Sequence, residues 1–73
     1  MEIKVNFGCR LKEIRLKKNI TQELLSEKTG IDRTFISHIE GGSRNVSLET
    51  IHKLLIGLEI DFKKFFNSDY FIT

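Results

Sequence analysis

Apolar residues recur along most of the chain at intervals of three and four, which predicts amphipathic α-helices. In the first such segment, about Asn6–Lys18, the side chains of Phe7, Leu11 and Ile14 share one face. A later segment, about Leu48–Leu58, has an apolar stripe made of Leu48, Ile51, Leu54, Leu55 and Leu58. No stretch alternates persuasively between apolar and polar positions. The pattern therefore predicts an all-α fold in which these faces form one core.

Two short helices, about Gln22–Thr29 and Arg33–Glu40, are predicted between those segments. Thr21 can cap the first, because a hydroxyl at that position accepts a hydrogen bond from a backbone N–H one turn later. Gly30 can end it in the left-handed conformation, and Asp32 can cap the next helix. Two helices joined by so short a turn must cross steeply, which is the helix-turn-helix arrangement.

The end of the chain predicts one more helix and a tail. Asp61 can cap a short helix over about Phe62–Phe66. We therefore expect a compact five-helix bundle that forms a single domain over residues 1–73. Its core spans about residues 6–66, and residues 67–73 form a C-terminal tail.

Composition and charge exclude several classes of protein. The net charge is only +2. Lys and Arg nevertheless outnumber Asp and Glu in residues 1–30. This excess is equally consistent with a basic side on the bundle and with an ordinary solvated helix face. Cys9 is the single cysteine, and no Cys/His cluster has the spacing of metal ligands. No apolar run approaches the roughly 20 residues of a membrane span. We expect a cytoplasmic protein, away from membranes, with no metal and no cofactor. No catalytic combination of side chains is apparent, so an enzyme is not expected.

Several correctly spaced motifs point to one family. They are Phe7-Gly8-Cys9-Arg10-Leu11, Thr21-Gln22-Glu23, Glu27-Lys28-Thr29-Gly30-Ile31, Ile36-Ser37-His38-Ile39-Glu40, Arg44-Asn45, Ser47-Leu48-Glu49-Thr50-Ile51 and Lys53-Leu54. Over about Phe7–Phe66 the chain resembles the Cro/C1-type helix-turn-helix domain, often called the XRE family. The resemblance implies a lambda-repressor-like DNA-binding fold. Within the family, residues 32–37 and 43–45 look most like the controller proteins of restriction–modification systems.

The resemblance also implies roles for individual side chains on double-stranded DNA. Positions at the start of the third helix and one turn later match residues that contact bases, namely Arg33, Thr34, Ser37 and His38. An arginine at such a position can bond O6 and N7 of one guanine together. Backbone contacts are implied for Gln22, Arg44 and Asn45, and such contacts set register rather than sequence preference. Phe35 is expected either in the core or at the DNA.

Three further expectations concern structure and assembly. The resemblance pairs Arg15 with Glu40 as a largely buried ion pair. The family's usual glycine after the fourth helix is replaced by Glu59, which requires a strained or different connection. The apolar residues at this end of the chain exceed what a monomer needs to expose. We expect a homodimer interface that includes Ile56, Phe62, Phe65, Phe66 and Phe71.

Two functions follow from these expectations. The first is a sequence-specific transcriptional regulator that binds a pseudo-palindromic operator as a homodimer and regulates its own promoter as an activator or repressor. RNA polymerase is a further candidate partner, through the acidic residues Glu23 and Glu27. The alternative is a protein-interaction module, antitoxin-like or anti-repressor, built on the same bundle. The exposed apolar residues and modest net charge favour this alternative.

Overall fold

The protein, described by a computed structural model over residues 1–72, consists of five α-helices and a final 3-10 turn. The helices are α1 (Ile3–Lys17), α2 (Gln22–Thr29), α3 (Arg33–Glu40), α4 (Leu48–Leu58) and α5 (Phe62–Phe66), and the turn covers Asp69–Phe71. Within residues 1–72 there is no strand. The predicted all-α bundle is confirmed, and α2 to α5 begin and end where the sequence predicts. Thr73, the last residue of the predicted tail, lies outside the described residues.

Side-chain caps explain why those four helices begin where they do. Thr21 Oγ1 accepts from the Leu24 N–H (3.0 Å), and Asp32 Oδ1 accepts from the Thr34 N–H (2.7 Å). Ser47 and Asp61 cap α4 and α5 in the same way. Each cap satisfies one of the backbone donors that a helix start leaves without an internal partner.

Helix α1 begins one turn earlier than predicted. The backbone N–H of Asn6 bonds to the carbonyl of Glu2 (3.0 Å), and Glu2 makes no side-chain cap. The added turn packs against the loop after α3, where Gly42 has a positive φ of 79°. A methyl group on Gly42 would lie 2.9 Å from Val5 Cγ2. The contact is made by residues far apart in sequence, so local helix signals could not predict it.

The predicted tail is ordered against α1. Asn6 Nδ2 donates to the carbonyl of Tyr70 (2.7 Å), and the Ser68 hydroxyl accepts from the Tyr70 N–H (3.2 Å). Phe71 is half-buried, with its ring centroid 4.9 Å from that of Phe66. The tail therefore covers part of the core.

Helix α1 packs on α3, and α2 packs on both α3 and α4. The core side chains come from all five helices and the α1–α2 connection: Phe7, Leu11, Ile14, Ile20, Leu25, Ile36, Ile39, Leu54, Leu55, Leu58 and Phe65. Gly8 permits a close crossing of α1 and α3, because a methyl group there would overlap the Ile39 carbonyl oxygen and lie 2.9 Å from that of Glu40. This crossing sets where the first turn of α1 lies relative to the end of α3.

Leu48 does not belong to the core stripe of α4, contrary to the expectation. It is 78% exposed. Leu48 is the first residue of α4, and its Cα–Cβ bond tilts toward the start of the helix. The side chain therefore points away from the residues that α4 buries. The periodicity places Leu48 on the apolar face of α4, but it could not indicate that no neighbouring element covers that end of the helix.

Candidate nucleic-acid interface

The turn between α2 and α3 is fixed by side-chain hydrogen bonds. The Ser26 hydroxyl donates to the carbonyl of Ile31 (2.5 Å). Thr29 Oγ1 donates to the carbonyl of Leu25 (2.7 Å) and accepts from the Ile31 N–H (3.2 Å). Gly30 ends α2 with a φ of 75°, in the left-handed region as predicted. These contacts set the angle at which α3 leaves α2.

Helix α3 has one buried face and one exposed polar face. Ile36 and Ile39 are fully enclosed by the core. The four residues for which base contacts are expected are all exposed: Arg33, Thr34, Ser37 and His38. Phe35 is half-buried and packs against the edge of the core, with part of its ring accessible. A rigid helix with hydrogen-bonding side chains on its outer face suits the major groove of DNA, which admits one α-helix.

The residues expected at the DNA backbone lie on two segments. Arg44 and Asn45 are exposed in the loop between α3 and α4. The start of that loop is held by Ser43, whose backbone N–H and hydroxyl both donate to the carbonyl of His38 (3.1 Å each). Gln22 lies at the first position of α2, where a helix N-terminus favours an anion.

Gln22 also has a contact that sequence reasoning missed. Its Nε2 donates to Glu40 Oε1 (3.0 Å), so one of its two amide hydrogens is already engaged within the protein. The other amide hydrogen has no hydrogen-bond partner among residues 1–72. No local signal could reveal this bond, because the partners are 18 residues apart.

Arg15 and Glu40 form the ion pair that the resemblance implies. The guanidinium also donates from Nη1 to the carbonyl of Ile20 (2.9 Å), at the connection to α2. Together with the bond from Gln22, these contacts join the end of α1, the start of α2 and the end of α3. The network therefore sets the orientation of the exposed face of α3.

The expected dimer surface needs one correction. Phe65 is fully buried within the chain's own core, so its assignment to the interface is wrong. Its ring lies 5.2 Å from that of Phe7, and it occupies the single position of α5 that points at the centre of the bundle. Phe66 and Phe71 are half-buried against the core, whereas Ile56 and Phe62 are exposed.

Two other features of the described residues bear on partners. Within residues 1–72, no helix is both long and apolar enough to cross a membrane. Across the same residues, His, Cys, Asp and Glu side chains do not come together in any group of three that could hold a metal ion.

The chain is similar to known helix-turn-helix proteins over most of its length. The pattern that defines the helix-turn-helix family HTH_3 matches residues 11–65. The control protein C.MunI of a Mycoplasma species is 40% identical over 68 residues, which cover 92% of this chain and 92% of that protein.

Solved structures are similar over the same region. The restriction-modification controller protein C.AhdI from Aeromonas hydrophila superposes with a TM-score of 0.85 at 41% identity, covering 90% of this chain and 100% of that one. The controller protein C.Esp1396I, crystallised as a tetramer with its natural 35 base-pair operator, gives a TM-score of 0.81 at 40% identity, covering 85% and 82%. Crystallised variants of C.Esp1396I alter three consecutive residues, an arginine, a threonine and a tyrosine. Helix α3 here opens with the similar run Arg33-Thr34-Phe35.

Proposed function

Because the chain belongs to the helix-turn-helix family, of the Cro/C1 type found in restriction–modification controller proteins, we propose that it is a sequence-specific transcriptional regulator. One observation carries this proposal. The exposed face of α3 holds four hydrogen-bonding side chains, while its opposite face is locked into the core by Ile36 and Ile39. Such a helix can enter a groove without rearranging the bundle.

We assign sequence-specific contacts with the operator bases to residues at the start of α3. Arg33 bonds a guanine through O6 and N7, while Thr34, Ser37 and His38 contact neighbouring base edges. The exposed edge of Phe35 lies beside these residues and can meet a thymine methyl group. Support for this arrangement comes from the exposure of all four side chains and from the Asp32 cap, which defines the start of α3.

We assign the DNA-backbone contacts, which set the register on the operator, to two segments outside α3, the start of α2 and the α3–α4 loop. Gln22 at the start of α2 and the loop residues Arg44 and Asn45 bond phosphates on either side of the groove. Phosphate contacts orient a protein on the duplex and supply most of its salt-sensitive affinity.

We further propose that two copies pair through the exposed side chains of Ile56 and Phe62, with Phe66 and Phe71 behind them. His52 stacks on Phe62 with the ring centroids 6.0 Å apart, which extends this surface along α4. A two-fold dimer sets two α3 helices into successive major grooves about 34–36 Å apart. The operator is then a pseudo-palindrome, and binding of further dimers converts activation of the protein's own promoter into repression. The controller protein C.Esp1396I occupies its natural 35 base-pair operator as a tetramer, which supports binding of more than one dimer to one operator.

Contact with RNA polymerase is assigned to Glu23 and Glu27, which are both exposed on α2. A regulator of this kind works in the cytoplasm, on the promoter of its own operon. The similarity to control proteins, and to solved restriction-modification controller proteins, favours a regulator over an interaction module. Catalysis has no part in the proposal.

The deciding experiment is fluorescence anisotropy on the duplex upstream of the protein's own gene, compared with a scrambled duplex of equal length. We expect a preference of at least roughly 10³-fold at physiological salt. Equal, weak binding to both duplexes that collapses as salt is raised would indicate only the phosphate contribution. That result would contradict sequence-specific regulation.

A further inference from the structure

The first turn of α1 lies directly on the loop between α3 and α4. The close crossing at Gly8 holds α1 against the last carbonyls of α3. Three residues earlier along α1, at a rise of about 4.5 Å, the helix reaches the loop. There the backbone of Gly42 contacts Val5, and a methyl group on Gly42 would lie 3.0 Å from Val5 Cα. The position of this turn is therefore set by backbone packing.

Lys4 precedes Val5 and borders the same depression as Arg44 and Asn45. The depression has a volume of about 160 Å³. The rest of its lining is apolar and consists of Ile3, Phe7, Val46, Ile51 and Phe66. Lys4 is half-buried, which suits a lysine whose alkyl chain lies on an apolar wall while its ammonium group stays in water.

Neither cation at this depression is neutralised by an acidic side chain. The ion pairs among residues 1–72 are Arg10–Glu13, Arg15–Glu40 and Lys28–Glu59, and none includes Lys4 or Arg44. Two like charges held near one another raise the local positive potential. An anion placed between them is stabilised by both, and a phosphate can accept from the Asn45 amide as well.

We propose that Lys4 binds a DNA phosphate beside the one contacted by Arg44 and Asn45. This inference rests on the proposed function, and it extends the backbone-binding surface from the α3–α4 loop to the start of α1. The contact adds affinity and salt dependence equally on any duplex, because a phosphate carries no base identity.

The test compares Lys4→Gln with the unaltered protein on the operator and on the scrambled duplex, by anisotropy at several salt concentrations. We expect weaker binding to both duplexes by the same factor. Because the proposed dimer carries two Lys4 side chains, the slope of log K against log salt should become shallower by about 1.8, the value for two phosphate contacts. Lys4→Arg keeps the charge and should retain the slope of the unaltered protein.

Lys28→Gln is the matched control. It removes the same charge, but Lys28 Nζ already pairs with Glu59 Oε2 (3.3 Å), so its salt slope should not change. Thermal unfolding and sedimentation of each variant verify that fold and assembly are retained. A slope for Lys4→Gln equal to that of the unaltered protein overturns the Lys4 assignment while leaving operator recognition intact.

Failure of the proposed function has a different signature. In that case the unaltered protein does not prefer the operator over the scrambled duplex. A shallower salt slope for Lys4→Gln on the scrambled duplex would still support the phosphate contact. If the salt slope is shallower in Lys4→Gln and Lys4→Arg does not restore it, the phosphate contact is overturned, because the loss of charge would not then explain the shallower slope.

Discussion

Arg15 and Glu40, 25 residues apart in sequence, are joined by two parallel hydrogen bonds, from Nε to Oε2 (2.7 Å) and from Nη2 to Oε1 (2.9 Å). Only 8% and 4% of these side chains is exposed. Glu40 is the last residue of α3, so this pair connects the helix proposed to contact DNA bases with α1. The same carboxylate accepts from Gln22 at the start of α2.

Glu40→Ala should behave as a folding defect. Removing one partner of a buried pair leaves the Arg15 guanidinium buried without its counter-charge, which costs about 3–5 kcal/mol. That is a large part of the stability of so small a domain. Urea unfolding followed by circular dichroism measures the loss. Glu13→Ala is the control, because the Arg10–Glu13 pair is more exposed and worth about 0–1 kcal/mol. An unchanged urea midpoint for Glu40→Ala, with only DNA affinity lost, would contradict a structural role.

Arg33→Ala should relax specificity without affecting the fold. The lost guanine contact is worth about 1–3 kcal/mol of discrimination in each half-site, so each protomer contributes a loss of roughly 5- to 150-fold to the ratio of operator to scrambled affinity. The melting temperature should stay the same, because the Arg33 side chain is exposed and forms no ion pair with an acidic residue among residues 1–72. Arg44→Ala is the comparison, and it should weaken both duplexes alike. A ratio that Arg33→Ala leaves intact would remove Arg33 from base recognition.

Ile56→Lys should convert the dimer to a monomer. The substitution places a charge at the centre of the proposed two-fold surface, where it faces its own copy. Sedimentation velocity over a dilution series measures the change, and operator affinity should fall with it. Leu16→Lys is matched in exposure (55% against 63%) but lies on α1, so it should leave assembly unaltered. If the unaltered protein is a monomer at micromolar concentration, with and without DNA, the dimer proposal fails.

Glu59→Gly should stabilise the fold. Glu59 ends α4 in the left-handed conformation (φ 56°), which costs a residue with a Cβ about 1–2 kcal/mol and glycine nothing. The loss of its exposed contact with Lys28 and the greater freedom of glycine in the unfolded chain offset part of this gain. We expect a rise in melting temperature of a few degrees by calorimetry. Asn19→Gly, at φ 57°, should raise it less, because asparagine tolerates this conformation better. An equal or larger rise for Asn19→Gly would count against backbone strain at Glu59.

The sequence by itself determined the class of fold and the limits of α2 to α5. Those limits depend on interactions within one turn of the chain, such as the cap at Asp32 and the left-handed Gly30, so residue identities suffice to locate them. The faces of α3 were equally predictable, because Ile36 and Ile39 recur at helical spacing. The family resemblance supplied the Arg15–Glu40 pair, which spacing alone does not indicate.

The tertiary structure decided what depends on residues far apart in sequence. It set the early start of α1 on the loop at Gly42, and it brought Lys4 to the same depression as Arg44. It also buried Phe65 and left Leu48 in solvent, although both are apolar residues at helical spacing. Periodicity identifies the face on which a side chain lies, but burial requires a neighbouring element to cover that face. Only the packed bundle determines where such a neighbour is present.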